Sequence, residues 1–251
     1  GSSGAGTSTI RDAFAEIFLR EKIQAAFIAG DSFLRYERNE MTDAIKKANQ
    51  EGRPISHFGP DANRFDLLET LFKDYSESGT GKIRQYVHED TSKLYEQAAG
   101  TFTPEQELPT STDLLIYDGL HGGVIAKTWT RRRMSSSHNP VVIERRNQSN
   151  SKKGVDVAQY VDFLIGVVPV VNLEWIQKIH RDNKIKGIPI EETTTTILRR
   201  LQDYIYFMTP QFSLSDINFQ RVPLVDTSNP FSSMDVPTAA ESMLIVRFRE
   251  P

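Results

Sequence analysis

The residues best suited to chemistry stand at the head of the sequence, which opens Gly1, Ser2, Ser3, Gly4, Ala5, Gly6, Thr7, Ser8, Thr9. Gly1 and Gly6 have the spacing of a phosphate-binding loop. In such a loop successive backbone N–H groups point into one concavity, and the helix that follows adds its positive end. Ser8 occupies the place of the hydroxyl that reaches a magnesium ion. Thr7 stands where these loops carry a lysine for the outer phosphates, so a cation from elsewhere in the chain must supply that charge. A glycine-serine opening is also the composition of a flexible linker. Its sequel argues for a working loop, because Ile10, Ala13, Phe14, Ile17 and Phe18 recur at helical spacing. The motif requires a strand before the loop, and the expectation is that this strand precedes Gly1.

Two carboxylates come next. Asp31 follows the apolar run Ala25–Gly30, and Asp118 closes the run Leu114–Tyr117. In an open α/β sheet, acids just past the carboxyl ends of strands face the ligand crevice. Asp31 reads either as a general base for an alcohol or as a helix cap or turn residue, and Asp118 reads as a metal-directed acid. Arg35 and Arg38 form either a phosphate clamp or a solvated surface pair. His88, beside Glu89 and Asp90, is a substrate contact or a surface histidine. His121 either orients substrate or packs the turn between Gly119 and Gly122.

The segment NLEWIQKIHRDNKIKG carries an apolar face of Trp175, Ile176 and Ile179. On a helix Lys178, Arg181 and Asp182 fall on one side, at offsets of three and four, with Lys186 further on. The segment is a solvated, salt-bridged helix or a phosphate-gripping lid, and the lid would supply the cation the loop lacks. Arg199 and Arg200 are adjacent on a predicted helix over Thr193–Met208. With Arg38 they could hold an anionic group bidentately, which points to an acceptor that is itself phosphorylated. The sum is phosphoryl transfer: the loop grips the phosphates, Ser8 and Asp118 serve a metal, and Asp31 deprotonates the acceptor.

The elements that must position these residues follow from the patterns between them. Helices are expected over Glu40–Glu51 and from Phe65 to Tyr75, the latter capped by Asp61. An edge strand or hairpin is expected at Arg84–His88, a buried strand over Tyr160–Val171, an edge strand at Val222–Val225 and a last strand at Met243–Phe248. Residues 127–154 read as a polar, mobile insertion with one short strand at 141–144. An RNA-binding module there is the weaker alternative, since acidic residues exceed basic ones by three and aromatic interleaving is missing. No apolar run reaches the length of a membrane span. The 251 residues contain no cysteine, which excludes disulfides and thiol nucleophiles and leaves the cytoplasm as the expected location.

Taken together, GSSGAGTST, IAGDSFLRYER, YVHED, YDGLHGG, VVPVVNLEWIQKIHRD, ILRR, PQFSLSDINFQRVP and VDTSNPF resemble the bacterial type of phosphoribulokinase. The likeness spans nearly the whole chain outside residues 127–154. The lysine-less loop, together with EWIQKIHRD and DINFQRVP, separates it from uridine and pantothenate kinases. The resemblance implies ATP-dependent phosphorylation of D-ribulose 5-phosphate to ribulose 1,5-bisphosphate with Mg2+ in carbon fixation. Asp31 matches the family base, and Asp118 the second acid, usually glutamate. Arg38, Lys178, Arg181, Asp182, Arg199 and Arg200 match residues tied to sugar phosphate or catalysis, and His88 matches a histidine near the sugar phosphate. Leu34 stands where the bacterial pattern has histidine, and Lys186 replaces an arginine. The family implies a homo-oligomer answering to NADH and AMP, with Arg20 and Arg247 at effector positions. It also implies one α/β domain over 1–251, a P-loop NTPase three-layer sandwich whose mixed, mostly parallel sheet has helices on both faces. The alternatives are a kinase for another small alcohol such as uridine, and a nucleotide-binding protein without catalysis.

Overall fold

A computed structural model describes residues 1–2, 4–123, 157–233 and 235–249. The expected insertion at 127–154, its strand at 141–144, and Ser3 lie outside the described residues. The chain divides into two compact units, Phe14–Val161 and Gly1–Ala13 with Asp162–Pro251.

In the unit Phe14–Val161, β1 (Ala25–Ala29) and β4 (Leu114–Asp118) pair in parallel, with Ala25 opposite Leu114 and Ala29 opposite Asp118. The apolar alternation of β1 buries Ala26 and Ile28 against α3 (Phe65–Ser78), which contributes Leu68, Leu71 and Phe72. With Phe65, these make four apolar side chains at offsets of one, three and four, which give α3 one buried face. Asp61 does not cap it, because the helix starts three residues too late for its carboxylate to meet the free N–H groups, and Arg64 is the N-cap. The helix α2 (Arg38–Gln50) begins at a capping box, in which the Glu37 N–H donates to Glu40 Oε2 at 3.0 Å and the Glu37 carboxylate receives the third helical N–H. Between α3 and β4, the two-residue strands β2 (Lys82–Ile83) and β3 (Gln106–Glu107) pair antiparallel, and α4 (Ser92–Tyr95) is a single turn. The strand expected at Arg84–His88 is reduced to one bridge between Tyr86 and Phe102. The part of helix α1 (Thr7–Glu21) that belongs to this unit stacks Phe14 on Phe18, and Phe18 meets Phe27 of β1.

The second unit holds a sheet in the order β5 (Ile165–Val167), β6 (Ile217–Pro223), β7 (Ser242–Phe248), parallel then antiparallel. Two expectations are corrected here. The apolar run Tyr160–Val171 yields only three strand residues, since residues 157–160 form a 3-10 turn, Pro169 lacks an N–H, and Val171 already opens a helix. The strand read as an edge at Val222–Val225 runs over Ile217–Pro223 and is central, with Pro223 at its last position. Helix α5 (Val171–Lys186) buries Leu173, Ile176 and Ile179, while Trp175 stacks on Phe231. Helix α6 (Ile190–Asp203) buries Thr193 and Ile197 and stops short of the expected Met208, because the chain widens into a π turn over Tyr204–Met208.

Candidate functional site

The glycine loop is an ordered turn, not a tail. Ala5 N–H donates to the Ser2 carbonyl at 3.1 Å, and Ile10 N–H to the Gly6 carbonyl at 3.2 Å, so the loop runs directly into the ladder of α1. Gly4 has φ +97°, a conformation that side chains with a Cβ rarely adopt. A Cβ there would also stand 3.2 Å from the Glu174 carbonyl and 3.4 Å from Lys178 Cβ. The loop therefore lies against α5, backbone to backbone. At Gly6, by contrast, nothing occupies the space where a Cβ would sit, which leaves that side open. Ser8 and Thr9 are exposed in the first turn of α1. This cradle suits a nucleotide's phosphates: free N–H groups at a helix start and an open glycine.

Lys178 lies on the stretch of α5 that packs against Gly4. Lys178 Nζ donates to Asp182 Oδ2 at 2.7 Å one turn on, and Arg181 Nη2 to Oδ1 at 2.9 Å. The Asp182 side chain is 6% exposed. Burial pushes its carboxyl up, but the bonds from Lys178 and Arg181 outweigh that and hold it down at about 2. One buried anion thus organises two cations. Arg200 is half-buried on α6, its Nε without a partner among the described residues, and burial, then Arg199, lower its pKa. Arg199 is exposed beside it, and Lys186 is the last residue of α5. Arg247 lies on β7 opposite Asn218 and is exposed.

In the other unit the strand-end reading of the acids holds. Asp118 is the last residue of β4, and Asp31 lies two residues past β1 in a 3-10 turn, Gly30–Phe33. The backbones meet closely at that end: a Cβ on Gly30 would stand 2.7 Å from Gly119 Cα and 2.9 Å from the Tyr117 hydroxyl. His88 Nε2 donates to Asp31 Oδ2 at 2.5 Å. This bond, more than the opposing burial, raises the His88 pKa and favours an imidazolium facing the carboxylate. His88 is held by its own N–H on Thr91 Oγ1 at 2.9 Å and by the edge of the Tyr86 ring. It is an exposed histidine whose ring is paired with Asp31. Arg38 pairs with Glu89 at 2.7 Å in an exposed position, and Arg20, at the far end of α1, pairs with Glu21.

Two expectations shift in detail. His121 takes the packing alternative: it is 3% exposed, its Nε2 donates to the Phe58 carbonyl at 2.8 Å, and Phe65 meets its ring edge-on. Burial lowers its pKa to about 4, so it stays neutral. Arg35 is exposed, as the surface alternative has it, and its guanidinium donates to the Pro60 and Asn63 carbonyls. Sequence reading missed three residues. Arg84 donates to the Ser32 and Leu34 carbonyls and lies 3.5 Å from the Phe102 ring, bracing the turn that carries Asp31. Glu174 and Gln177 on α5 hold the glycine loop from below. The Gln177 amide donates to the Gly4 carbonyl at 2.6 Å and accepts from Arg221 at 2.9 Å. Among the described residues no three or more metal-binding side chains gather in one place, and no helix is long and apolar enough to cross a membrane.

A glycine turn at the head of a helix, seated on a second helix that carries a lysine, suits nucleotide-phosphate chemistry. With carboxylates at parallel strand ends, the class is that of P-loop kinases acting on small molecules. Comparison with known proteins narrows this. Residues 1–228 match the model of the Phosphoribulokinase / Uridine kinase family, and the chain belongs to that family. It is 48% identical over 250 residues to the probable phosphoribulokinase of Escherichia coli (strain K12), covering 99% of this chain and 78% of that protein. It is 47% identical over 253 residues to the phosphoribulokinase of Nitrobacter vulgaris, covering 100% and 78%. The solved structure of phosphoribulokinase from Rhodobacter spheroides is 41% identical, with a TM-score of 0.78, over 100% of this chain and 78% of that one. That likeness shows the architecture to be α/β, with a mixed sheet flanked by helices.

Proposed function

We propose that this chain is a phosphoribulokinase: it transfers the γ-phosphoryl group of ATP to O1 of D-ribulose 5-phosphate, giving ribulose 1,5-bisphosphate and ADP. The observation that carries the reading is the seating of the glycine loop on α5, where a Cβ on Gly4 would stand 3.4 Å from Lys178 Cβ; Lys178 is the cation assigned to the role that Thr7 leaves unfilled. The names of its relatives, phosphoribulokinase and probable phosphoribulokinase, agree with that chemistry. Asp31 accepts the proton of the O1 hydroxyl as that oxygen attacks the γ-phosphorus and the bond to ADP breaks. His88, held as a cation by Asp31, orients the carboxylate. Loop residues Gly1 to Thr9 bind the nucleotide's phosphates through backbone N–H groups. Lys178 and Arg181, fixed by Asp182, meet the negative charge that develops on the transferred oxygens.

Ser8 and Asp118 are assigned to Mg2+, which when bound neutralises charge across the β- and γ-phosphates. Magnesium sites of this kind use few protein groups and complete their shell with phosphate oxygens and water. Arg38, Arg199, Arg200 and Lys186 are assigned to the 5-phosphate of the acceptor, and His121 acts through the turn it packs. A single kinase domain over 1–251, a homo-oligomer, NADH and AMP as effectors near Arg20 and Arg247, and a cytoplasmic location belong to the same reading. The test is an ADP-release assay with ribulose 5-phosphate, ribulose and uridine as acceptors, with Asp31→Asn alongside. Only the phosphorylated sugar should serve. Asp31→Asn should lose about 100-fold or more in turnover, the order expected for a general base, while still binding ATP. Undiminished turnover in Asp31→Asn removes Asp31 as the base, and a preference for uridine removes the substrate.

A further inference from the structure

Beneath the glycine loop lies a buried acid that the chemistry above does not use. Glu174, in the first turn of α5, is 4% exposed, yet both its carboxylate oxygens are engaged. Ser2 Oγ–H, itself on a residue 3% exposed, donates to Oε1 at 2.5 Å, and the Tyr204 hydroxyl donates to Oε2 at 2.9 Å. Ser2 is the second residue of the loop, and Tyr204 is the residue at which α6, the carrier of Arg199 and Arg200, gives way to the π turn. A carboxylate in this position is costly unless both ends are satisfied, and satisfying both ends joins two segments far apart in sequence. The Glu174 carbonyl is also the atom that a side chain at Gly4 would strike first. The same residue thus meets the loop at two points, through its side chain at Ser2 and its backbone at Gly4.

We propose that Glu174 is a positioning residue for nucleotide binding: it clasps Ser2 to Tyr204, so that the loop keeps its phosphate-accepting shape only while the end of α6 is in place. This rests on the reading of the loop as the nucleotide site. Burial raises the Glu174 pKa, and the Ser2 and Tyr204 bonds oppose that rise. The carboxylate bonds to Ser2 of the loop and to the Tyr204 hydroxyl. Its influence falls on ATP affinity and leaves affinity for the sugar phosphate alone.

The test uses Ser2→Ala, Tyr204→Phe, their double variant, Glu174→Ala and Glu174→Gln. It measures ATP binding by calorimetry, KM for each substrate, kcat and the unfolding midpoint. Loss of one hydrogen bond to a buried carboxylate should weaken ATP about tenfold, with KM for ribulose 5-phosphate within about twofold. The double variant should be no weaker than the worse single, because either change opens the clasp. Glutamine, which can accept from Ser2 and donate to the tyrosine oxygen, should restore most of what alanine loses at position 174. Unchanged ATP affinity in both single variants, or losses that multiply in the double, overturns the proposal. Equal rises in both KM values also overturn it, since they indicate general loosening. If Glu174→Ala does not fold, the Ser2 and Tyr204 cycle decides alone. Failure of the unaltered protein to bind ATP overturns the nucleotide reading itself, which separates the two failures.

Discussion

Replacing Asp182 by asparagine removes one negative charge from beneath two positive ones while keeping size and shape. The carboxyl sits at about 2 in the fold against an ordinary 3.8. By linkage, that difference corresponds to roughly 2–3 kcal/mol of stability near neutral pH. The side chain is only 6% exposed, so solvent screening removes little of it. The direction follows from the depressed value. The contribution is complete above about pH 4, is lost as pH falls through the folded value near 2, and is about half gone at pH 3. Asp182→Asn should therefore be less stable by about 2–3 kcal/mol at pH 7, a fall of about 4–12 °C in Tm for a chain of this size. The gap should close as pH drops from 4 towards 2. Urea unfolding followed by circular dichroism, with both proteins at matched pH between 3 and 7, reads it directly. A gap that stays constant with pH, or no gap at pH 7, refutes the claim that the charge on Asp182 is what binds Lys178 and Arg181.

His88 should titrate above its ordinary 6.5 because Asp31 favours its charged form. Its contribution to stability is then full below about 6.5 and lost as pH rises through the raised value. Proton NMR of the imidazole in the unaltered protein and in Asp31→Asn should show the midpoint fall back in the variant, and equal midpoints would break the pair as described. Gly30→Ala should cost about 1–3 kcal/mol, the order for forcing extra atoms into a packed site, because its Cβ would stand 2.7 Å from the Gly119 backbone. Thermal unfolding of that variant at or above the parent's midpoint contradicts the close approach. Arg84→Met keeps much of the side chain's bulk and removes its two donors. It should lower kcat more than KM for ATP, since the turn it braces carries Asp31. Equal effects on both argue for a general defect.

The parts of this protein legible in its sequence are those where local chemistry and local conformation coincide. Gly4 and Gly6 mark a turn that only such residues permit easily, and an apolar helical period follows at once, so loop and helix announce each other. Asp31 and Asp118 each end an apolar run, and both prove to lie at the carboxyl end of a parallel pair. The Lys178, Arg181, Asp182 cluster was visible because all three belong to one helical turn. Length was the weaker signal. The run Tyr160–Val171 is apolar almost throughout, yet a proline and a helix start cut it to three strand residues. Strand β6 was read short because Asn218 and Gln220 interrupt its apolar character, although a central strand pairs through its backbone whatever its side chains. Glu174 and Arg84 were invisible for a different reason. Glu174 meets Ser2 across 172 positions of sequence, and Arg84 meets Ser32 across 52. Nothing near either residue betrays a partner so distant.

The ladder joining β1 to β4 works as a ruler for the chemistry. Strand residues advance about 3.3 Å each and alternate faces. Deleting or adding one residue in either strand would draw its acid back or forward by that step and turn the strand's core residues outward. Ala26 and Ile28 would then trade places with exposed neighbours. Natural variation between Ala25 and Asp31 is therefore confined to exchanges of side chain at fixed count, and a relative that gained or lost a residue there would have to surrender either its core or the reach of its acid.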